Sequence, residues 1–299
     1  MIKYNEKQLK CIMHPMAPLM IIAGAGTGKT ATIIGRICYF IEQRKINPSN
    51  ILALTFTVKA AENLKEKIVD IVGERGKDVY ACNFHSFALE IILEYHEKLS
   101  YKSKPTVIEA NESRYLLNQL INQNSSIFTS SEYRKRNSKA LEGVEKIFNQ
   151  ISNELVPLDL LKKKVKILKE EQCRSEEDSQ RLDAINLFFI YRKIKKENSW
   201  IDFGDMILNL SELLDDPVIL LKIRDSFKHL VVDEFQDNNY ALSRILEKIS
   251  GVGGSITIVG DDDQSIYSFR GAHISGFHEF REFHDQSSQY NEITLNLNY

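Results

Sequence analysis

A lysine and a threonine that close a glycine-rich stretch are the residues of this chain best suited to bind phosphate. They end a segment that meets the pattern G-x-x-x-x-G-K-[ST], with alanine in place of the first glycine: Ala23, Gly24, Ala25, Gly26, Thr27, Gly28, Lys29 and Thr30. In such a loop the backbone N–H groups point at phosphates, and glycine permits that close approach. Lys29 is expected to reach the β- and γ-phosphates, and Thr30 to ligate Mg²⁺. The segment, called the phosphate loop below, therefore predicts a site for ATP and Mg²⁺.

The flanks of the phosphate loop support this interpretation. An apolar run of strand length, residues 19–23, precedes it, and residues 31–43 have the pattern of a helix. A helix that begins at the loop directs its positive dipole end at the same anion. The alternative is a glycine-rich turn with a chance Lys-Thr pair, which the strand–loop–helix context disfavours.

Another apolar segment, residues 229–233, ends in the first of two adjacent acidic residues. In an open α/β sheet the carboxyl ends of the strands face the ligand crevice, which places Asp233 and Glu234 there. Asp233 is predicted to hold Mg²⁺, and Glu234 to orient or deprotonate the attacking water. Gln264 follows the next strand-like segment, residues 255–260, where a neutral donor could contact the γ-phosphate. The nearby acids 261–263 do not have the spacing of an EF-hand calcium loop.

The order of elements predicts the fold class. Strand-like and helical segments alternate in residues 1–98 and 200–299, which predicts an α/β fold with a parallel sheet covered on both faces by helices. No strand-like pattern occurs between 99 and 199. Helical patterns occur there at residues 110–122, 131–149, 157–171 and 176–198. The sequence therefore predicts one α/β domain made of 1–98 and 200–299, with an all-helical insertion at 99–199.

Composition restricts the function only loosely. The net charge is −2, while residues 101–200 hold 19 Lys and Arg against 14 Asp and Glu. That basic excess fits a polyanion partner and solvated helix faces equally well. The four cysteines are scattered, which argues against zinc or disulfides and for a reducing cytoplasm. No apolar run has the length of a membrane span, and the first residues lack a signal peptide.

Eight short segments, taken in order, resemble the N-terminal half of a superfamily 1 DNA helicase of the UvrD/Rep/PcrA type. Residues 4–8 resemble the Q motif and the phosphate loop resembles motif I. Residues 54–61, 83–87, 232–237 and 259–272 resemble motifs Ia, Ib, II and III, and 295–299 the start of motif IV. Residues 200–206 resemble the return of the chain to the first domain. The helical stretch has no motif and is assigned by position as the family's 1B insertion into RecA-like domain 1A.

The resemblance implies an ATP-dependent motor that moves 3′ to 5′ along single-stranded DNA in repair or replication. It implies that Gln8 reads adenine and that Tyr299 adjoins the nucleotide. It also implies contacts to single-stranded DNA, or to a junction with duplex, from Phe56, His85, Tyr267, Phe269 and Arg270. Aromatic side chains of this kind stack on bases without sequence preference. For Phe56 and Phe269, core packing is the alternative on aromaticity alone.

Several positions depart from the family pattern. Ala31, Val58, Asn83 and Phe269 stand where the family commonly has Arg, Asn, Thr and Trp. These changes put the adenine and base contacts in doubt and leave the phosphate chemistry intact. The second motor domain is not in this sequence, so we expect a fragment with weak ATP hydrolysis and no unwinding. Two other classes stay open, a phosphate-loop switch that never unwinds DNA and an adaptor without turnover.

Overall fold

The computed structural model describes residues 3–126, 128–135, 138–170, 175–262 and 276–298. It divides into two compact units. Unit 1 comprises residues 1–87 and 214–299, and unit 2 comprises residues 88–213. Among the described residues no helix is both long and apolar enough to cross a membrane.

A six-stranded parallel sheet forms the centre of unit 1. Its strands, in chain order, are β1 (Leu19–Ala23), β2 (Ile51–Thr55), β3 (Tyr80–Asn83), β6 (His229–Val232), β7 (Ile256–Gly260) and β8 (Asn291–Leu295). The spatial order is β3-β2-β6-β7-β1-β8, so strands from both ends of the sequence belong to one sheet. Since all five strand pairs are parallel, the carboxyl ends of β1, β2, β6 and β7 lie along one edge. The predicted α/β fold with a parallel sheet is confirmed.

Helices cover the sheet, and side chains in their first turns fix where several of them begin. The helices of unit 1 are α1 (Glu6–Met13), α2 (Lys29–Glu42), α3 (Val58–Val72), the start of α4 (Phe84–Glu94), α11 (Pro217–Ser226), α12 (Tyr240–Ser250) and α13 (Gly276–His284). Asn5, Thr57, Asp216 and Asn239 accept backbone N–H groups in the first turns of α1, α3, α11 and α12. Apolar faces of α2 and α3 join β1 and β2 in one buried core.

Unit 2 is mainly helical. It contains the rest of α4, then α5 (Ala110–Asn124), α6 (Ser131–Arg134), α7 (Ser138–Asn153), α8 (Leu158–Glu170), α9 (Glu176–Glu197) and α10 (Phe203–Leu213). Its core lies mostly between α5, α7 and α9, where Phe148 packs edge-on against Phe188 at 5.1 Å between ring centroids.

Three expectations about this region need correction or extension. Two short parallel strands, β4 (Thr106–Val107) and β5 (Trp200–Ile201), pair in unit 2, so the expectation that strands are absent there is wrong. The sequence also predicts a helix over residues 86–99, whereas α4 ends at Glu94 and is followed by a 3₁₀ turn, His96–Leu99. The expected helix 131–149 is described as α6 and α7, which extends to Asn153. The two units meet in sequence at 87/88 and 213/214, whereas the domain boundaries at 98 and 199 stay predictions.

Candidate active site

The phosphate loop leaves β1 at Ala23 and enters α2 at Lys29. Gly26 and Gly28 have φ of +79° and +84°, a region that costs a residue with a side chain about 1–2 kcal/mol. A Cβ on Gly26 would also lie 2.0 Å from Asn298 Oδ1. The hydroxyl and N–H of Thr27 both donate to the Gly24 carbonyl, at 2.8 and 3.4 Å. Glycine is therefore required at two points of a tight turn.

The first turn of α2 is left open for an anion. The first N–H groups of any helix have no acceptor within that helix. Gly28 is the N-cap of α2 and provides no side chain to accept them. Lys29 and Thr30 are the first two residues of this 14-residue helix. N–H groups without an acceptor in their own helix and the positive end of the helix dipole therefore coincide with the lysine of the motif.

Gln8 links α1 to the phosphate loop. Its side-chain oxygen accepts the Asn5 N–H at 2.9 Å, while its backbone N–H donates to Asn5 Oδ1 at 2.8 Å. Its Nε2 donates to the Thr27 carbonyl at 3.3 Å. This reciprocal capping fixes the side chain, and only 3% of Gln8 is exposed. Gln8 therefore lies directly against the loop that the motif predicted.

Asp233 and Glu234 follow β6 at the same edge of the sheet as the phosphate loop. The Asp233 N–H donates to the Leu54 carbonyl at 3.0 Å, which continues the pairing of β6 with β2 by one residue. Glu234 then turns into the left-handed region, with φ +50° and ψ +48°. A glutamate in this conformation is costly, on the order of 1–3 kcal/mol, and such residues cluster at functional sites. The turn brings Glu234 Oε2 to 3.3 Å from Lys29 Nζ.

Burial controls the protonation of Asp233. Removal from water raises its pKa first, the adjacent Glu234 charge raises it further, and together they bring the pKa of Asp233 to about 6. The Glu234 N–H and Lys29 act in the opposite direction, since each favours the charged carboxylate. Two carboxyl groups with different environments thus lie next to the lysine, the arrangement needed when one acid binds metal and the other takes a proton.

Phe56 and His85 share a pocket with the two acids. Phe56 follows β2 and is 56% exposed, whereas His85 is half-buried in the first turn of α4. Burial lowers the pKa of His85, which favours a neutral ring. This acid pocket is lined by Leu54, Thr55, Phe56, Phe84, His85, Val232, Asp233, Glu234, Asn238 and Leu242. One concavity therefore joins the predicted catalytic acids to two predicted DNA contacts.

Comparison with known proteins identifies the family to which this chain belongs. The sequence model of the UvrD/REP helicase N-terminal domain matches residues 4–285. The chain belongs to that helicase family. It is 28% identical over 296 residues to proteins named ATP-dependent DNA helicase PcrA from Staphylococcus aureus and Staphylococcus epidermidis. The match covers 99% of this chain and 38% of each relative, so the chain spans under half of their length.

Part of the helicase motif set lies outside the described residues. Gln264, Tyr267, Phe269 and Arg270 fall in the range 263–275, and Tyr299 follows the last described residue. The predictions made for these five residues stay predictions. Of the other departures from the helicase pattern, Val58 is 53% exposed at the start of α3. Asn83 Oδ1 accepts the Ser86 N–H at 2.8 Å and so caps the first turn of α4.

The structure adds three residues to which the sequence assigned no role. Gln236, within the helicase motif II, contacts both Glu234 and the backbone at the end of β7. Asn298 lies against Gly26, which shows that the chain after β8 returns to the phosphate loop. The buried Nδ2 of Asn238, a residue lining the acid pocket, has no hydrogen-bond partner among the described residues. A side-chain amide next to an acidic motif was the available signal for Gln236 and Asn238.

Proposed function

We propose that this chain is the ATP-binding and single-strand-binding part of a 3′-to-5′ DNA helicase or translocase that acts in the cytoplasm in DNA repair or replication. In this proposal unit 1 is RecA-like domain 1A and unit 2 is insertion 1B. One observation carries it: Glu234, which Lys29 of the phosphate loop contacts at 3.3 Å, lines the same pocket as Phe56 and His85. The activity of the whole protein is part of the proposal, because the chain matches 38% of its relatives.

The phosphate loop would bind the nucleotide. The amides of Gly24, Gly26 and Gly28 and the first N–H groups of α2 would hold the phosphates, with Lys29 at the β- and γ-oxygens. Ala23, Ala25 and Thr27 would shape the same loop. Gln8 is the proposed adenine contact, and its bond to the Thr27 carbonyl supports this assignment because it lies beside the loop.

Thr30, at the end of the phosphate loop, and Asp233, after β6, provide oxygen ligands of the kind that Mg²⁺ prefers. Mg²⁺ is usually bound by one or two protein oxygens together with substrate phosphates. Thr30 offers a hydroxyl at the start of α2 and Asp233 a carboxylate after β6. Within the described ranges, no group of three or more His, Cys, Asp or Glu side chains could hold a metal ion. When bound, the ion would neutralise charge on the γ-phosphate.

Glu234 is the proposed acceptor of the proton from the attacking water. Its side chain is 40% accessible, so water reaches it, and Lys29 fixes one of its oxygens. A positioned general base contributes about 10²–10⁴-fold to a rate. Lys29 would at the same time stabilise the charge that develops on the γ-phosphate.

Phe56 is the proposed stacking platform for a base, with His85 beside it. An aromatic ring that is 56% exposed next to a pocket is not part of the core, which removes the alternative of core packing for Phe56. Stacking on such a ring is worth about 1–3 kcal/mol per base. Binding would also weaken as salt rises, because phosphate contacts release counterions.

The proposal is tested by the steady-state ATPase activity of the full-length gene product, measured with and without single-stranded DNA. Glu234→Gln should lower kcat about 10²–10⁴-fold while Mg-ATP binding persists. Phe56→Ala should raise the DNA concentration for half-maximal stimulation about 5- to 150-fold, the equivalent of one stacked base. Tyr115→Ala is the matched control, since Tyr115 is an aromatic residue of unit 2 that is 66% exposed.

The same preparation distinguishes the alternative classes. Strand displacement from a duplex with a 3′ tail, and not from one with a 5′ tail, is the expected result. ATP hydrolysis that DNA does not stimulate would indicate a phosphate-loop switch instead of a motor. ATP binding without hydrolysis would indicate an adaptor.

A further inference from the structure

We propose that Gln236 is a positioning residue for ATP hydrolysis, which sets the orientation of the Glu234 carboxylate and ties it to the end of β7. The inference rests on the proposed function, because it concerns the group that would activate water. Gln236 lies two residues after Glu234 in the 3₁₀ turn Phe235–Asp237, and only 7% of it is exposed.

Both ends of the Gln236 amide are used. Its Nε2 donates to Glu234 Oε2 at 2.7 Å, and its Oε1 accepts the Asp261 N–H at 3.0 Å. Asp261 is the first residue after β7, the strand that pairs with β6. The side chain therefore bridges the carboxyl ends of two neighbouring strands, with the proposed base at one end of the bridge.

A side-chain amide suits this pair of contacts. It carries a donor and an acceptor on the same planar group, and it is uncharged beside a carboxylate. Glutamate would keep the acceptor but replace the donor with a second negative charge next to Glu234. Methionine has a similar length and offers neither contact. The residue type at this position is therefore explained by the bridge.

The bridge also determines which oxygen of Glu234 is available for water. Gln236 Nε2 and Lys29 Nζ both approach Oε2, at 2.7 and 3.3 Å. Among the described residues no hydrogen-bond donor contacts Oε1 of Glu234. Two donors from different directions hold a side chain that is 40% accessible and would otherwise rotate freely. Oε1 is then the oxygen that receives the proton.

Gly260, the last residue of β7, supplies independent support. A Cβ there would lie 2.5 Å from Gln236 Oε1 and 2.8 Å from the ring of Phe277. The position has no left-handed backbone that would itself require glycine. The Gln236 amide and the Phe277 ring thus fill the space that a side chain at 260 would occupy, and Glu234 is not among its nearest neighbours. Gly260→Ala should therefore displace the amide, with Phe277 as the other group that must shift.

The test is steady-state ATP hydrolysis by the full-length gene product, at saturating Mg²⁺ and single-stranded DNA. Gln236→Met and Gln236→Glu should each lower kcat by about 10- to 100-fold, the loss expected when a reacting group is misplaced by about 1 Å. KM for ATP should stay within about 3-fold, because the phosphate loop is unchanged. Gln150→Met is the matched control, since exposed Gln150 donates to Glu154 at 3.1 Å in unit 2.

A double-mutant cycle separates positioning from general loss of structure. Gly260→Ala should lower kcat in the parent protein but have a much smaller effect in the Gln236→Met background, because both changes act through the same amide. A purely structural role would instead lower nucleotide affinity and thermal stability together with kcat. Should Gln236→Met fail to fold, Gln236→Glu and Gly260→Ala decide the question.

The inference is overturned if a folded Gln236 variant has the kcat of the parent, or if kcat and ATP affinity fall in equal proportion. These outcomes leave the proposed function intact, since the parent still hydrolyses ATP. A parent protein that neither binds nor hydrolyses ATP would overturn both.

Discussion

Replacing Arg36 with methionine should destabilise unit 1 strongly, because this arginine joins α1, α2 and β7 in the core. Arg36 lies on α2 and is fully buried. Its Nε donates to Thr257 Oγ1 at 2.8 Å. Its other nitrogens donate to the carbonyls at the end of α1 and just after it, Cys11 at 2.8 Å, Ile12 at 3.4 Å, His14 at 2.7 Å and Pro15 at 3.0 Å.

The magnitude follows from these five acceptors. Arg36→Met leaves four carbonyls, three of them buried, and one hydroxyl without this donor, a gross loss of about 5 kcal/mol at about 1 kcal/mol each. Burying the guanidinium has its own cost, since burial lowers the pKa of Arg36 to about 9. That cost is removed in the variant, and relaxation satisfies some carbonyls. We therefore expect a net decrease of about 2–4 kcal/mol in the free energy of unfolding.

Urea unfolding at pH 7.5, followed by circular dichroism, measures this decrease. Arg44→Met is the control, because Arg44 is exposed just beyond the end of α2 and its replacement should change stability by less than about 0.5 kcal/mol. An unfolding free energy for Arg36→Met within about 0.5 kcal/mol of the parent would refute the reasoning. It would show that these carbonyls find other donors at no cost.

Two further substitutions test buried titratable side chains. His284 is fully buried and burial lowers its pKa to about 4, below the ordinary value of 6.5, so its contribution to stability is complete above pH 6.5 and is lost as pH falls through 4. His284→Leu should therefore lessen the fall in unfolding free energy from pH 6.5 to pH 4.5 by about 2 kcal/mol, and an unchanged fall would contradict this. Lys195→Met should cost about 3–5 kcal/mol of unfolding free energy, because Lys195 Nζ lies 2.6 Å from the buried Asp205 and also contacts Asp202. Lys193→Met, at a 76% accessible side chain, is its control, and equal effects of the two would sink the prediction.

Sequence reasoning succeeded where the signal is local. The apolar run Leu19–Ala23 and the helix after the phosphate loop, predicted at 31–43 and observed as Lys29–Glu42, are each determined by neighbours within a few positions. The parallel sheet could also be predicted, since it follows from the alternation of such segments.

The missed features depend on contacts between residues that are distant in sequence. β4 and β5 have two residues each and pair across about ninety positions, too short to show any periodicity. The left-handed Glu234 could not be predicted either, because nothing in the residue type favours positive φ. The contact of Gln236 with Asp261 depends on how the turn after β6 places the Gln236 amide against the end of β7, which no sequence pattern reveals.

The central claim, that the phosphate loop binds Mg-ATP through Lys29, is tested most directly by calorimetric titration of Mg-ATP into this chain and two variants. Lys29→Ala should weaken binding about 10- to 150-fold, the equivalent of losing about 1.5–3 kcal/mol of hydrogen bonding to a charged group. Lys67→Ala, at an exposed lysine of α3, should bind as the parent does. Equal affinity in Lys29→Ala and the parent, or no binding of Mg-ATP by the parent, would contradict the account.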